Sequence, residues 1–270
     1  MFTIKNLVVL LVVLLPSPCL AVNFFDGARS PEGLYFLTYS SYYYADTTAD
    51  AQGRTAKRDY RYEKLEETFR LCYYTPDLVL TALLPAGTVH SGYYDTSSEG
   101  LGDIKLGAGY FLPCRGADIL PMLFVKFPTG EYDPDRTVNY GSNQYDIQAA
   151  VFLYKQVGRV SIDAAAKYFL REENRATGIS PGDEMHLQGL LGWQFTKRFK
   201  AGPSVNWLRS SCQESRGSRI PGTARKTLSA GADAYLRLPG LSLTFTYLRD
   251  CQAKNTAKGD FFQVKSCVKF

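Results

Sequence analysis

The fold class is decided by residues 158–170, which read GRVSIDAAAKYFL. From Val160 onward every second side chain is apolar or aromatic, while Ser161, Asp163 and Lys167 occupy intervening positions. Successive side chains of a β-strand point to opposite faces of the sheet, so this alternation predicts a strand with one apolar and one polar face. The stretch LSLTFTYLRD at residues 241–250 repeats the pattern.

Strands of this type recur along the chain from about Gly33. We predict twelve of them, at residues 33–45, 60–74, 78–89, 101–112, 117–127, 143–156, 158–170, 184–196, 199–211, 225–238, 241–250 and 260–270. Their connections alternate between short turns, such as Pro239-Gly240, and long polar loops, such as residues 128–142. This segregation is typical of outer-membrane barrels, whereas a soluble sandwich gives no reason for it. The predicted fold is an all-β, transmembrane, antiparallel up-and-down β-barrel of twelve strands.

The first residues predict export from the cytoplasm. Lys5 supplies a positive charge, residues 7–15 form an apolar core, and Ala21 is a small residue suited to cleavage. The apolar core is too short for a membrane-spanning helix. A buried N-terminal helix and lipidation at Cys19 are the alternatives. We therefore divide the chain into a signal peptide (1–21), a short N-terminal periplasmic segment (22–32) and an outer-membrane β-barrel (33–270).

The composition excludes several functions. Against 26 Asp and Glu stand 31 Lys and Arg, and the resulting formal net charge of +5 is spread along the chain. Such a distribution argues against a nucleic-acid-binding protein. Two histidines and six cysteines are too few and too scattered for a zinc framework.

Charged side chains within the strands should point into the barrel. A basic residue that faces lipid at the bilayer midplane costs about 2–4 kcal/mol. A turn centred between Gln156 and Val157 would place Lys167 opposite Asp146. These charges either brace the wall as ion pairs or contact a solute, and Phe24 and Phe25 could also dip into the lumen. The candidate lumen-lining residues are Glu66, Arg70, Asp103, Lys105, Asp146, Asp163, Lys167, Asp233, Arg237 and Lys265.

Several stretches resemble known outer-membrane proteins. The C-terminal strand, with its alternation and terminal Phe270, resembles the signal by which the outer-membrane assembly machinery of Gram-negative bacteria recognises its clients. The sequences GLGDIKLG (100–107), KFPTGEY (126–132) and GSNQYD (141–146) resemble the phenol-degradation MetA-pathway family of outer-membrane transporters. The resemblance implies a barrel in the Gram-negative outer membrane, in contact with its lipid, for passive passage of small, hydrophobic or aromatic solutes. It carries over no binding residue.

Two rival functions remain open. A barrel enzyme of the outer-membrane phospholipase type needs a serine, a histidine and an orienting polar partner, and the only histidines are His90 and His186. A closed structural barrel is the second rival, because twelve strands fall between the roughly eight that side chains fill and the roughly sixteen that leave an open channel. We favour a channel with no catalytic step and no cofactor.

The cysteines suggest one cross-link. Cys212 and Cys251 lie at the outer ends of the ninth and eleventh predicted strands, which are separated by one hairpin. A disulfide between them would join two external loops in an oxidising compartment, provided that their Cα atoms lie within about 7 Å.

Overall fold

The computed structural model describes residues 21–57, 60–92 and 94–270. Apart from Ala21, the predicted signal peptide lies outside this part of the chain. No helix in the described residues is long and apolar enough to cross a membrane. The strands are β1 (Gly33–Ala49), β2 (Thr55–Lys57), β3 (Tyr62–Tyr74), β4 (Leu78–Ser91), β5 (Thr96–Leu101), β6 (Lys105–Tyr110), β7 (Asp118–Lys126), β8 (Asp146–Val157), β9 (Val160–Arg171), β10 (Ile179–Ser180), β11 (Glu184–Gln194), β12 (Phe199–Ser210), β13 (Glu214–Ser215), β14 (Ser218–Arg219), β15 (Lys226–Leu238), β16 (Leu241–Lys254) and β17 (Thr256–Lys269).

The long strands close into an antiparallel barrel. Each pairs with its neighbour in the chain, and β17 pairs with β1 along almost its whole length. β5 and β6 both pair with β4 and form one strand interrupted at residues 102–104. When these two are counted as one, and the short loop strands β2, β10, β13 and β14 are left out, twelve strands span the barrel. The predicted all-β, twelve-stranded fold is confirmed.

One predicted register is wrong. β8 and β9 are joined by a two-residue turn at Gly158, whose φ of +58° is a conformation that such hairpins require and that glycine adopts readily. Asp146 therefore pairs with Arg171, and Lys167 lies opposite Ala150. The turn is centred between Gly158 and Arg159, later in the chain than predicted. The predicted pairing of Lys167 with Asp146 is therefore wrong.

Alternation gives the wall two different faces. Outward positions carry exposed apolar and aromatic side chains, including Leu65, Phe69 and Leu71 of β3. Inward positions on the same strand carry Glu66 and Thr68, both buried. The apolar face suits lipid, while closure of the sheet pairs the backbone groups that lipid cannot satisfy.

The N-terminal segment enters the barrel. Val22, Asn23 and Phe24 are almost completely buried inside the ring of strands. We call residues 22–26 the plug. Residues 22–26 of the segment predicted at 22–32 thus lie inside the lumen, where the two apolar side chains find an apolar surface.

Candidate functional site

The plug packs against one side of the lumen. Val22 and Phe24 contact apolar side chains from strands β4 to β11, and Phe24 is only 1% exposed. Burial of a phenylalanine side chain stabilises a contact by about 1.5–3 kcal/mol. The plug therefore has a substantial apolar seat, whose other buried members are Val79, Leu83, Phe111, Leu120, Met122, Phe124, Ala150, Phe152, Ala165 and Leu190.

Two carboxylates on the wall bind the plug. Asn23 Nδ2 donates to Asp233 Oδ2 at 3.2 Å and to Thr246 Oγ1 at 2.9 Å. The backbone N–H of Phe25 donates to Asp163 Oδ1 at 2.6 Å. Asp163 and Asp233 were predicted to line the lumen, and the structure places both against the plug.

Some of the polar groups in these contacts between the plug and the wall lack a hydrogen-bond partner. One oxygen of Asp163, one of Asp233 and the amide oxygen of Asn23 are buried without a hydrogen-bond partner. Each buried polar atom without a partner costs about 1–3 kcal/mol. The polar contacts therefore hold the plug less tightly than their number alone would indicate.

Ionic contacts continue toward the inner mouth, which is the end of the barrel that carries the short turns. Asp26 pairs with Lys265 at 2.5 Å, so a third predicted lumen residue also contacts the plug. Just beyond the plug, Arg29 pairs with Asp77 at 3.1 Å and with Asp118 at 3.4 Å. Both aspartates lie at short turns, so Arg29 fastens the base of the plug to the inner mouth.

A cavity occupies the lumen above the plug. Its volume is about 470 Å³, and it extends from loop residues 134–137 down to Ala21 and Asp26. Arg237 lies elsewhere, exposed on β15 at the inner mouth. Six of the ten predicted lumen residues line the cavity, namely Glu66, Arg70, Asp103, Lys105, Asp146 and Lys167.

Ion pairs brace the outer part of this cavity. Lys126 lies 2.6 Å from Asp146 and 3.5 Å from Asp103. Arg171 lies 2.8 Å from Glu184 and 3.6 Å from Asp146, so positive and negative groups alternate around the wall. Lys126, Arg171 and Glu184 were not among the predicted lumen residues. Lys126 and Glu184 already follow the inward alternation of their predicted strands, and Arg171 takes the next inward position one residue beyond the predicted strand 158–170.

Glu184 has three side-chain partners in this cluster. Besides Arg171, it pairs with Arg225 and accepts a hydrogen bond from His186 Nε2 at 2.9 Å when that nitrogen carries a proton. His186 also packs on Phe169, with 4.7 Å between ring centroids. The histidine thus contacts a carboxylate and an aromatic ring, and it belongs to the charged cluster of the wall.

An external loop folds into the cavity. The Tyr140 hydroxyl donates to Glu66 Oε2 at 2.9 Å, and Lys64 pairs with the same carboxylate at 2.6 Å. Asp103 accepts the backbone N–H groups of Gly130 at 2.9 Å and Ser142 at 3.0 Å. Burial raises the pKa of Tyr140 well above its ordinary value, and the negative charge of Glu66 raises it further. The two carboxylates thus hold residues 127–145 inward.

Basic groups stand beside aromatic rings lower in the cavity. Lys105 Nζ donates to Gln148 Oε1 at 3.2 Å and lies 5.8 Å from the centre of the Phe169 ring. Lys167 Nζ lies 5.6 Å from the centre of the Phe152 ring. A cation near the face of a ring is attracted to it, so these side chains form a surface that is both aromatic and polar.

Arg70 completes this surface on the opposite side of β4. Its guanidinium donates to Thr81 Oγ1 at 2.9 Å and to the Tyr39 hydroxyl at 3.1 Å. Cross-strand register places Arg70 beside Leu83, and Leu83 beside Lys105. An apolar side chain therefore separates two basic groups on the inner wall.

The two histidines lie on different faces of the wall. His90 is on the outward side of β4, while the neighbouring Ser91 is buried and faces inward. His186 faces inward from β11. Within the described residues no group of three or more His, Cys, Asp or Glu side chains is placed to hold a metal ion.

The two cysteines of the predicted disulfide are free thiols. Cys251 is exposed on the outward side of β16, whereas Cys212 is buried and its sulfur accepts a hydrogen bond from Arg219 at 3.3 Å. Burial raises the pKa of the Cys212 thiol, but the hydrogen bond and positive charge of Arg219 outweigh it and hold the pKa below its ordinary value. Cys212 is buried beyond the end of β12 and Cys251 is exposed on β16, so the predicted disulfide does not form.

Comparison with solved structures identifies outer-membrane barrels. The structure of the COG4313 outer membrane channel from Pseudomonas putida F1 has a TM-score of 0.84 and 18% sequence identity, over 92% of this chain and 100% of that one. The NanC porin has a TM-score of 0.53 and 8% identity, over 87% and 100% of the two chains. At these identities the likeness establishes the fold. No protein of curated function matches the sequence significantly.

The sequence itself matches a family. Residues 45–265 match the family described as "Putative MetA-pathway of phenol degradation". The matched region runs from the outer part of β1 into β17, and so includes nearly the whole barrel. The resemblance seen in the sequence is confirmed, and the chain belongs to this family.

Proposed function

We propose that the protein is a channel of the Gram-negative outer membrane for passive uptake of small, hydrophobic or aromatic molecules. The observation that carries the proposal is the cavity of about 470 Å³ between the outer loops and the plug. Its volume lies within the range of small-molecule sites, which is about 300–1,000 Å³. Phe124, Phe152 and Phe169 supply aromatic surface, and the neighbouring Lys105 and Lys167 keep the wall wettable.

The plug is the gate of this channel. A solute that enters the cavity meets Val22 and Phe24 before it can reach the inner mouth. The plug is a short segment of chain, and three of its buried polar contacts are incompletely satisfied. Its displacement opens the inner half of the lumen while the twelve paired strands stay closed.

The proposal extends to location and assembly. The predicted signal peptide directs the chain to the periplasm, and the assembly machinery inserts it into outer-membrane lipid by binding the terminal strand. Phe270 is 74% exposed at the inner mouth, although its backbone N–H donates to Leu34 O at 2.9 Å. Its side chain is therefore accessible to a partner.

A closed structural barrel is the second candidate, and the buried plug is the observation that favours it. Enzymatic activity has weaker support, because Ser91 faces inward while His90 beside it faces outward. Solved structures similar to this chain include a channel and porins.

Vesicle uptake separates the candidates. Vesicles that contain the purified protein should take up naphthalene faster than protein-free vesicles, and faster than vesicles that contain heat-denatured protein. A channel predicts several-fold faster entry that saturates with solute concentration. Equal rates in all three preparations would contradict the proposed uptake and favour the closed barrel. Lipase activity of the purified protein that disappears in His186→Ala would favour the enzyme.

A further inference from the structure

Three cations stand in one row on the lipid-facing side of the barrel. Arg209 of β12 pairs in register with Lys226 of β15, and Lys226 pairs in register with Lys254 of β16. All three follow the outward alternation of their strands, with Arg209 and Lys254 exposed and Lys226 half-buried. Since neighbouring strands lie about 4.8 Å apart, the row is about 10 Å long. We call these three residues the basic row.

Within the part of the chain that the structure describes, the basic row has no anionic partner. Among the described residues, none of its three members forms an ion pair or a side-chain hydrogen bond. Like charges directly opposite each other on neighbouring strands destabilise a sheet. Arg249 is different, because on the same face of β16 it lies directly opposite Asp260. The basic row therefore leaves repulsion that an external anion would relieve.

The row differs from an outward cation on the other side of the barrel. Arg61, immediately before β3, pairs with Glu63 at 3.2 Å and so has an acidic neighbour. In the basic row the neighbour across each strand pair is another cation.

The position of the row indicates which anion it binds. It lies at the end of the barrel with long loops, which in outer-membrane barrels is the extracellular end. Directly below it the outward face is apolar, with Trp207 and Leu228 next in the register and Leu187 and Val205 beyond. A ligand that fits both surfaces carries phosphate above and acyl chains below.

We propose that the basic row binds the phosphate groups of lipopolysaccharide in the outer leaflet. Lipid A, the membrane anchor of lipopolysaccharide, carries phosphate directly above its acyl chains and so matches the order of cations and apolar side chains along these strands. Arginine and lysine form charge-assisted hydrogen bonds with phosphate oxygens. The inference rests on placement of the barrel in the outer membrane and is independent of which solute passes through the lumen.

Binding of lipid A to purified protein in detergent tests the proposal. The test variant is Arg209→Ser/Lys226→Ser/Lys254→Ser. The control is Arg237→Ser, which removes a cation from the opposite end of β15. Each basic residue near a charged lipid surface contributes about five-fold to affinity, so the triple variant should bind bisphosphorylated lipid A on the order of 100-fold more weakly. The control should bind like the wild type.

Two further arms identify the source of the phosphate. Lipid A from which both phosphates have been removed should bind wild type no better than it binds the triple variant. Inorganic phosphate at the same concentration should not displace bisphosphorylated lipid A. Equal binding of phosphorylated lipid A to wild type and triple variant would overturn the proposal. Full displacement by inorganic phosphate would also overturn it, in favour of a site for a free anion.

Correct folding of the variants is checked independently. The heat-modifiable mobility of the barrel in gel electrophoresis should be the same in all variants, because the substituted side chains point away from the lumen. If the triple variant does not fold, Arg209→Ser and Lys254→Ser are compared singly, each with an expected loss of about five-fold. Arg209→Lys should retain most of the affinity, and a loss as large as that of Arg209→Ser would contradict a role for the positive charge.

Discussion

The outer and inner halves of the lumen are held in different ways. In the outer half, charged side chains of neighbouring strands pair with each other, Lys126 with Asp146 and Arg171 with Glu184. In the inner half, Asp163 and Asp233 bind a separate piece of chain, the plug. The outer half therefore keeps its shape whether or not the plug is present, whereas the inner half depends on the plug for its polar and apolar contacts. The difference supports the proposal that the plug in the inner half is the gate of the channel.

Phe24→Ala should produce the largest effect, because it removes the main apolar contact of the plug. Truncation of a buried phenylalanine costs about 3–5 kcal/mol, which corresponds to more than a 100-fold change in an equilibrium. We expect brief or absent openings in wild type and a steady current in the variant, measured in planar bilayers. The matched control is Phe195→Ala, which removes an exposed ring outside the lumen. If Phe24→Ala leaves the current at the wild-type level, Phe24 does not seal the channel.

Glu184→Gln should lower the free energy of unfolding of the barrel without opening the channel. The substitution leaves Arg171 and Arg225 buried beside a neutral group, and breaking a buried ion pair costs about 3–5 kcal/mol. The measurement is the free energy of unfolding by urea in detergent, with Glu173→Gln in an exposed loop as the control. Equal stability of the two variants would show that the charged cluster does not brace the wall.

Asp233→Asn should have a moderate effect on gating. The amide can still accept one hydrogen bond from Asn23, but the charge that strengthens this contact is lost. A hydrogen bond contributes about 0.5–1.5 kcal/mol, so the open fraction in bilayer recordings should rise several-fold and no more. Asp260→Asn, on the outward face of β17, should leave the open fraction unchanged. A rise as large as that of Phe24→Ala would mean that polar contacts, and not apolar packing, hold the plug.

Ion selectivity should distinguish a predicted residue that lines the cavity from one that does not. In a Phe24→Ala background, Lys105→Gln should shift the reversal potential in a potassium chloride gradient by a few millivolts toward cation preference, because it removes a positive charge from the wall. Arg237→Gln should produce no shift, because Arg237 is exposed at the inner mouth. Identical shifts in both variants would place the selectivity outside the cavity.

The architecture was predictable from local pattern. Period-two alternation and the segregation of short turns from long loops are properties of neighbouring residues, and they locate the strands to within a few positions. The register of β8 against β9 was not predicted, because it depends on which two residues form the turn. A displacement of the turn at Gly158 replaced Lys167 by Arg171 as the partner of Asp146.

Which inward residues contact the plug and which line the cavity could not be derived in the same way. Alternation predicts that Asp163, Asp233 and Lys265 face inward, but it does not say what they meet there. Their partners lie between 138 and 239 residues away along the chain. For the plug, the sequence indicated only that Phe24 and Phe25 could enter the lumen. Residues 22–32 are too short to suggest a buried element, and only the closed barrel supplies their apolar contacts.

Tethering the plug tests the gate most directly. In a background in which the native cysteines are replaced by serine, Asn23→Cys and Thr246→Cys place thiols on two side chains that contact each other at 2.9 Å. A short, reducible bifunctional thiol reagent then links them, and single-channel current is recorded before and after reduction. A gate formed by the plug predicts a closed channel while the link is intact and repeated openings once it is reduced. The same current in both states would contradict it.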